Sequence, residues 1–321
     1  MRSLLNYHRD LIGLTGVMFA VATVMFLLNP EHFLTANNLR SMAFQLPEIG
    51  MMTLAMMIAM LHGGINLAVV GTANLTAIMT VLLAHAILPS VNNEWIAAAV
   101  GLGAGFAASL LVGLLSGILI GYVRVSSILA TLGVMTLVNG VCIVITGGST
   151  ISRPPSPILA IGNGILFGIP IPLLAFLLCS ALLSLILSRT VFGFNLYMLG
   201  TNPEATRYAG ISNPRILLGI YLLSSALASI GGVIMMARFN SAKADYGQSY
   251  LLTTVLAAVL GGTSATGGYG KVIGVVFAII TLQMLASGLN LVGVDPFFAI
   301  AMWGAILLMV TTLNHFLRRR A

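Results

Sequence analysis

The sequence predicts an all-α, polytopic membrane protein of about ten transmembrane helices, some of them short or broken, with both termini in the cytoplasm. Three observations predict it. Hydrophobic residues make up 59% of the 321 and charged residues only 7%, where a soluble domain carries about a quarter. Mean hydropathy is +1.06. Long apolar runs recur along the whole length, which means many helical spans rather than one anchor. The runs are near-continuous and do not alternate, which argues against a β-barrel. The chain reads as one transmembrane domain over 1–321, interrupted by a polar island at 189–215.

The apolar segments lie near 11–28, 45–61, 67–88, 95–121, 126–146, 170–188, 216–236, 250–262, 272–291 and 297–314. The first is read as a retained span, because no small-residue cleavage site follows it. The second is bounded by Pro47 and the eighth is short, and interrupted segments of this kind mark broken helices around a transport path. His62-Gly63-Gly64-Ile65-Asn66 separates the second and third. Gly101, Gly103, Gly105, Gly113, Gly117 and Gly121 on the fourth read as close-packing positions between helices. The Pro- and Gly-rich stretch 152–164 after the fifth reads as an extracytoplasmic linker, with a lid as the second reading. After the eighth comes GGTSATGGYGKV. Lys271 is followed by Val272, Ala265 stands where a phosphate loop needs glycine, and no Ser or Thr is placed for magnesium, so this is a glycine-rich turn and not a nucleotide site. Its Gly261-Gly262 pair faintly echoes Gly63-Gly64.

The island holds Arg189, Arg207 and Arg215 against Glu204 alone. Asn202-Pro203-Glu204 supplies an N-cap, a proline at the first helical position and an acid in the first turn. Ala205 continues that short helix and Gly210 can close it in the left-handed conformation. Two readings stand for it: an amphipathic connector on the headgroups, or a knob for a soluble partner. With the N-terminus inside, ten spans place ten basic residues in the cytoplasm and four (Arg40, Arg153, Arg238 and Lys243) outside, as the positive-inside rule requires. The net charge of +7 therefore sets orientation and does not point to nucleic acid. Cys142 and Cys179 lie in apolar runs and read as small core residues without a disulfide.

By these segment boundaries, all seven acids fall off the centres of the spans. A proton-driven carrier keeps an acid or histidine deep in the membrane, so that mechanism is disfavoured, while sodium coupling stays open. No metal-ligand cluster and no nucleophile–base pair is visible, so a membrane enzyme is remote and no cofactor is expected on this chain. What remains is polar and uncharged: Asn66, Thr72, Asn74 and Thr76 on or before the third segment, Thr131, Thr136 and Asn139 on the fifth, Thr281, Gln283, Ser287 and Asn290 on the ninth. Amides and hydroxyls can exchange hydrogen bonds with a neutral polyhydroxylated solute without holding a charge in low dielectric. Asn66, Asn74, Thr131, Asn139, Gln283 and Asn290 are the candidate pathway residues. The competing reading of each is interhelical glue.

Four ordered motifs resemble the inner-membrane permease subunits of bacterial ABC importers for sugars, of the ribose, xylose and autoinducer-2 kind. They are Gly63-Gly64-Ile65-Asn66-Leu67-Ala68-Val69, Ala130-Thr131-Leu132-Gly133, the set Thr190, Phe192, Gly193, Tyr197, Gly200, Asn202, Ala205, Gly210 and Ile211, and the turn from Val259 through Gly270. The resemblance covers nearly the whole chain. It implies a non-catalytic permease in the inner membrane, paired with itself or a sister permease. The implied partners are a cytoplasmic ATPase that carries ATP and magnesium and a periplasmic or lipid-anchored sugar-binding protein. The family's coupling helix would be Asn202, Pro203, Glu204, Ala205, Arg207 and Gly210. The chain departs from the family pattern at several positions: Asn66 stands for an acid, Ala68 for a serine, Phe194 for a basic residue and Leu251 or Leu252 for an acid, and 125–127 lack a proline. The expected function is therefore a permease for a sugar or similar neutral solute, against an ion-gradient-driven secondary carrier or facilitator.

Overall fold

A computed structural model describes residues 2–295, 298, 301–305, 308 and 312, with side chains from Gly13 onward. Helices account for most of it. They are α1 (Arg2–Leu28), α2 (Ala36–Leu61), α3 (Val69–Val91), α4 (Glu94–Gly121) and α5 (Ser127–Thr146). A short strand β1 (Ile151–Ser152), helix α6 (Ser156–Asn163) and the pair β2 (Ile165–Leu166) and β3 (Ile169–Pro170) follow. Then come α7 (Ile171–Arg189), α8 (Val191–Thr201), α9 (Pro203–Tyr208), α10 (Asn213–Phe239), β4 (Ser241–Ala242), α11 (Tyr250–Leu260) and α12 (Val272–Val292).

Among the described residues seven helices are long and apolar enough to cross a membrane: α2, α3, α4, α5, α7, α10 and α12. Two predicted spans are shorter apolar helices, Gly13–Leu28 within α1 and Tyr250–Leu260. The tenth segment, 297–314, lies mostly outside the described residues.

α2 is the axis of the molecule. Every residue from 50 to 61 is buried, as expected of a helix that is apolar all round. Its methionines 51, 52, 56, 57 and 60 are fully buried against residues of α7, α10, α11 and α12, and the flexible thioether fills the irregular gaps between those helices. Outer helices behave oppositely. Leu111, Leu129, Val144 and Leu178 are exposed, which in a bilayer is surface for lipid or a neighbouring chain and not a fault.

The α4 glycines set the next layer. A Cβ at Gly101 or Gly105 would strike α3 at Thr80 and Thr76, and one at Gly113, Gly117 or Gly121 would strike α10 at Tyr221, Leu218 and Pro214. α4 is thus wedged against two helices by backbone approach. Gly103 differs from the expectation, facing open space.

Three expectations are corrected here. Pro47 does not bound the second span; α2 runs through it from Ala36. The lost N–H frees one carbonyl of the preceding turn, a defect tolerated where neighbouring helices enclose the backbone. Glu48 accordingly lies midway along a span, buried, rather than at a span edge. Arg238 is not a loop residue but sits in the last turn of α10, where its guanidinium pairs with Glu48 at 2.8 Å.

The loops gather at two ends. At one, β1 pairs antiparallel with β4, Asn163 donates to the Ala237 carbonyl at 2.9 Å, and Ser156 donates to the Glu94 carboxylate. The stretch 152–164 is therefore a packed cap with its own helix, not a bare linker. At the other end meet residues 61–68, 197–211 and 261–271.

Candidate functional site

The second end carries most of the residues singled out in the sequence. Asn202 closes α8 and caps α9: its side chain accepts from the Glu204 and Ala205 amides, both at 3.0 Å. Pro203 is the first helical residue, and Gly210 adopts φ +79° just beyond the helix. These features match the sequence reading of the short helix. Of α9 only Thr206 is buried. Glu204 and Arg207 are exposed, and Tyr208 is 82% exposed with the Arg207 guanidinium 5.8 Å from its ring centre. A helix that buries one residue in its own chain gains almost nothing from intramolecular packing, so its free faces are open to a partner.

The polar island is more structured than its composition suggested. Residues 191–201 form α8, with Leu196 and Leu199 buried. Thr190 caps it by accepting from the Gly193 amide at 3.2 Å. The signal was present in the sequence as Thr190 followed by apolar residues, but was masked by the charges flanking it.

Behind α9 the chain is broken between α2 and α3. Asn66 holds this break from inside. Its Nδ2 donates to the Ser224 hydroxyl at 2.9 Å, and its Oδ1 accepts from the Ala68 amide at 3.1 Å. Ser224 in turn donates to the Ala55 carbonyl at 2.7 Å, so one buried chain of hydrogen bonds ties α2, the break and α10 together. Thr131 accepts from the Leu67 amide at 3.1 Å and approaches the Ile65 carbonyl at 3.0 Å, pinning the break to α5. His62 ends α2 with its Nε2 3.1 Å from the Tyr221 hydroxyl. Burial pushes its imidazole down to about 4, because the charged form loses its water there.

The other candidate pathway residues do not converge on these. Asn139 is half-buried and its Oδ1 lies beside Gly71 of α3. Asn74 donates to the Ala244 and Tyr246 carbonyls, both at 2.9 Å, and so fastens the loop at the opposite end. Asn290 is exposed near the end of α12. Gln283 donates to Gln45 at 3.1 Å and borders a cavity of about 180 Å³ between α2, α11 and α12, whose other polar edges come from Ser249, Tyr250 and Thr253, with Trp303 on its rim. Thr72, Thr76, Thr136 and Thr281 each bond a carbonyl one turn back in their own helix. The structure therefore brings Asn66 and Thr131 together at the break and leaves Asn74, Gln283 and Asn290 apart.

Sequence reasoning missed the charged group beside that cavity. Tyr250, which borders it, donates to Glu48 Oε1 at 3.0 Å, the same oxygen that Arg238 pairs with. Glu48 is 3% exposed. The only clue in the sequence was an acid one residue after a proline in an otherwise apolar run. Glu48 and Arg238 are 190 residues apart in the chain, so their pairing is invisible before folding.

Residues 38–311 match the protein family described as the permease component of branched-chain amino acid transport systems. The chain belongs to this permease family. The ribose import permease protein of Bacillus subtilis (strain 168) is 31% identical over 300 residues, covering 93% of this chain and 90% of the relative. The ribose import permease protein of Escherichia coli (strain K12) is 30% identical over 312 residues, covering 96% and 93%. The autoinducer 2 import system permease protein of Photorhabdus luminescens is 32% identical over 271 residues, covering 81% and 78%. No solved structure matches the chain. The permease is a multi-pass membrane protein. Of the positions singled out as departures from the resemblance, Asn66 and Ala68 are buried, whereas Phe194 and Leu252 are exposed.

Proposed function

We propose that this permease is the membrane subunit of an ATP-binding-cassette importer and translocates a sugar or sugar-like neutral solute across the inner membrane. Separate ATPase subunits, which carry the ATP and magnesium, energise it. A periplasmic or lipid-anchored binding protein delivers the solute, and a second copy or sister permease completes the pore. Ten spans with cytoplasmic termini give the arrangement in which residues 189–215 face the ATPase. The observation that carries the proposal is the near full-length similarity to permeases named for ribose and autoinducer-2 import. The exposure of α9 supports the role of residues 202–210 as the coupling helix. ATP-driven closure of the ATPase pair displaces that helix and rocks the spans between outward and inward access.

Asn66, Asn74, Thr131, Asn139, Gln283 and Asn290 remain the proposed pathway set, and Gln283 has the strongest support because it borders the cavity. A second reading, an ion-gradient-driven carrier, gains from the buried Glu48, since acids enclosed in a span often serve ion coupling.

Uptake of labelled pentoses, hexoses and polyols in cells expressing the transport locus separates the two. Loss of uptake on ATP depletion at maintained membrane potential supports the importer. Loss on collapse of the potential at maintained ATP supports the carrier. Charge reversal at Glu204 or Arg207 abolishes uptake while membrane insertion persists; normal uptake in both variants removes α9 from the mechanism.

A further inference from the structure

The two glycine turns that the sequence showed as a faint echo touch each other, and the end of α8 touches both. Gly268 donates its amide to the Leu61 carbonyl at 2.8 Å. The Tyr197 hydroxyl donates to the Gly270 carbonyl at 2.6 Å. A Cβ placed on Gly200 would run into the Leu61 carbonyl and lie 2.5 Å from the Gly268 nitrogen. One placed on Gly267 would lie 2.7 Å from the Gly63 nitrogen and 2.8 Å from the Gly200 carbonyl oxygen. One on Gly268 would lie 2.7 Å from Thr201 Oγ1. Gly200 is helical, so its backbone angles suit any residue, and only the close approach demands glycine there. Gly267 has φ +87° and meets both demands.

Three distant segments thus meet backbone to backbone. Contacts made through long side chains absorb a displacement by changing rotamers, whereas backbone in van der Waals contact has no such slack and transmits it. The connection outward is equally short. Asn202 is at once the last cap of α8 and the first cap of α9, so a shift of α9 reaches Gly200 and Thr201 within one turn. From there it meets the end of α2, the buried axis, and the turn that ends α11, which lines the cavity.

We propose that Gly200, Gly267 and Gly268 form the transmission joint that passes the movement of α9 to α2 and α11, which makes them positioning residues for transport. The proposal rests on residues 202–210 being the ATPase-coupling helix.

The test uses the complete importer in liposomes: this chain, its ATPase and its binding protein. The probe is whichever labelled pentose or hexose the native complex takes up best. ATP hydrolysed and sugar delivered are measured in the same vesicles. In Gly200→Ala the ATPase copurifies and hydrolysis stays near the native rate, while sugar delivered per ATP falls about tenfold or more, the scale of a lost coupling free energy between sites. Tyr197→Phe, which removes one hydrogen bond without adding bulk, lowers the ratio less but in the same direction. Gly103→Ala, facing open space, leaves the ratio unchanged. A native ratio in Gly200→Ala overturns the joint, as does a parallel loss of hydrolysis and transport that leaves the ratio intact. If Gly200→Ala does not assemble, Tyr197→Phe decides: a lowered ratio supports the joint and a native ratio overturns it. Native uptake that persists without the ATPase defeats the coupling-helix reading instead, and this shows in the unmodified chain before any variant is made.

Discussion

Replacing Arg238 with Met strips Glu48 of its cation while keeping the bulk of the side chain. At the observed 2.8 Å, an effective dielectric of about 20 gives an attraction of about 6 kcal/mol before desolvation. Much of that gross figure is cancelled by the loss of water from both ions. The two partners are not equally enclosed, since the Arg238 side chain is 18% exposed and that of Glu48 only 4%. After loss of the acid, water can reach the guanidinium; after loss of the arginine, it scarcely reaches the carboxylate. Arg238→Met should therefore cost about 3–5 kcal/mol, the range for a buried pair broken on one side. Glu48→Gln stays neutral and still accepts from Tyr250, so it should cost less, about 1–3 kcal/mol. The double variant Glu48→Gln with Arg238→Met should recover to within about 1 kcal/mol of the native protein, because no uncompensated charge remains and Tyr250 keeps its acceptor. Reversible unfolding in mixed micelles of rising SDS content, followed by helical circular dichroism, measures all three. An Arg238→Met variant as stable as the native protein would refute the argument. So would a double variant weaker than both singles.

Three further outcomes follow from the same geometry. Gly105→Ala drives a methyl group onto Thr80 and Thr76 and should destabilise the α3–α4 contact by about 1–3 kcal/mol, while Gly103→Ala is neutral or gains up to about 1 kcal/mol from helix propensity; melting of the two variants side by side checks this. Asn66→Asp, which puts a carboxylate at the break, should cost about 1–3 kcal/mol. The reason is that the Ser224 hydroxyl already donates its proton to Ala55 and would present only a lone pair to the new carboxylate; unchanged melting and uptake would show that Ser224 can reorient. Burial holds the His62 imidazole down to about 4 in the folded chain, against 6.5 for the free side chain. The unfolded state therefore takes up more protons between those values, and stability present above pH 6.5 is lost as pH falls toward 4, by about 3 kcal/mol in all. Melting temperature against pH for the native chain and His62→Gln measures it, with a shallower acid slope expected in the variant.

The sequence alone determined the class of the molecule and most of its short-range features. Apolar runs of span length between basic loops left no soluble alternative, because backbone in lipid must satisfy its own hydrogen bonds. The cap at Asn202, the helix after Pro203 and its stop at Gly210 were legible because capping is settled within a few residues. The glycines of α4 were legible as packing positions for the same local reason, apart from Gly103, whose orientation depends on where the neighbouring helices lie. Family membership was legible through four motifs in order. The fate of Glu48 was not: a proline beside an acid reads as a helix end, and only the enclosure of α2 by four other helices lets the helix continue through Pro47 and bury the charge. Arg238 looked like a loop cation for want of its partner. The candidate pathway residues looked like one set because amides and hydroxyls carry no address. Tertiary structure dispersed them, placing Asn66 and Thr131 at the break, Asn74 at the opposite cap and Gln283 at the cavity. The meeting of Gly63, Gly200 and Gly267 was likewise beyond the sequence, since contacts between backbones far apart in the chain leave no periodicity behind; they exist only once long-range packing has brought the three segments within van der Waals distance.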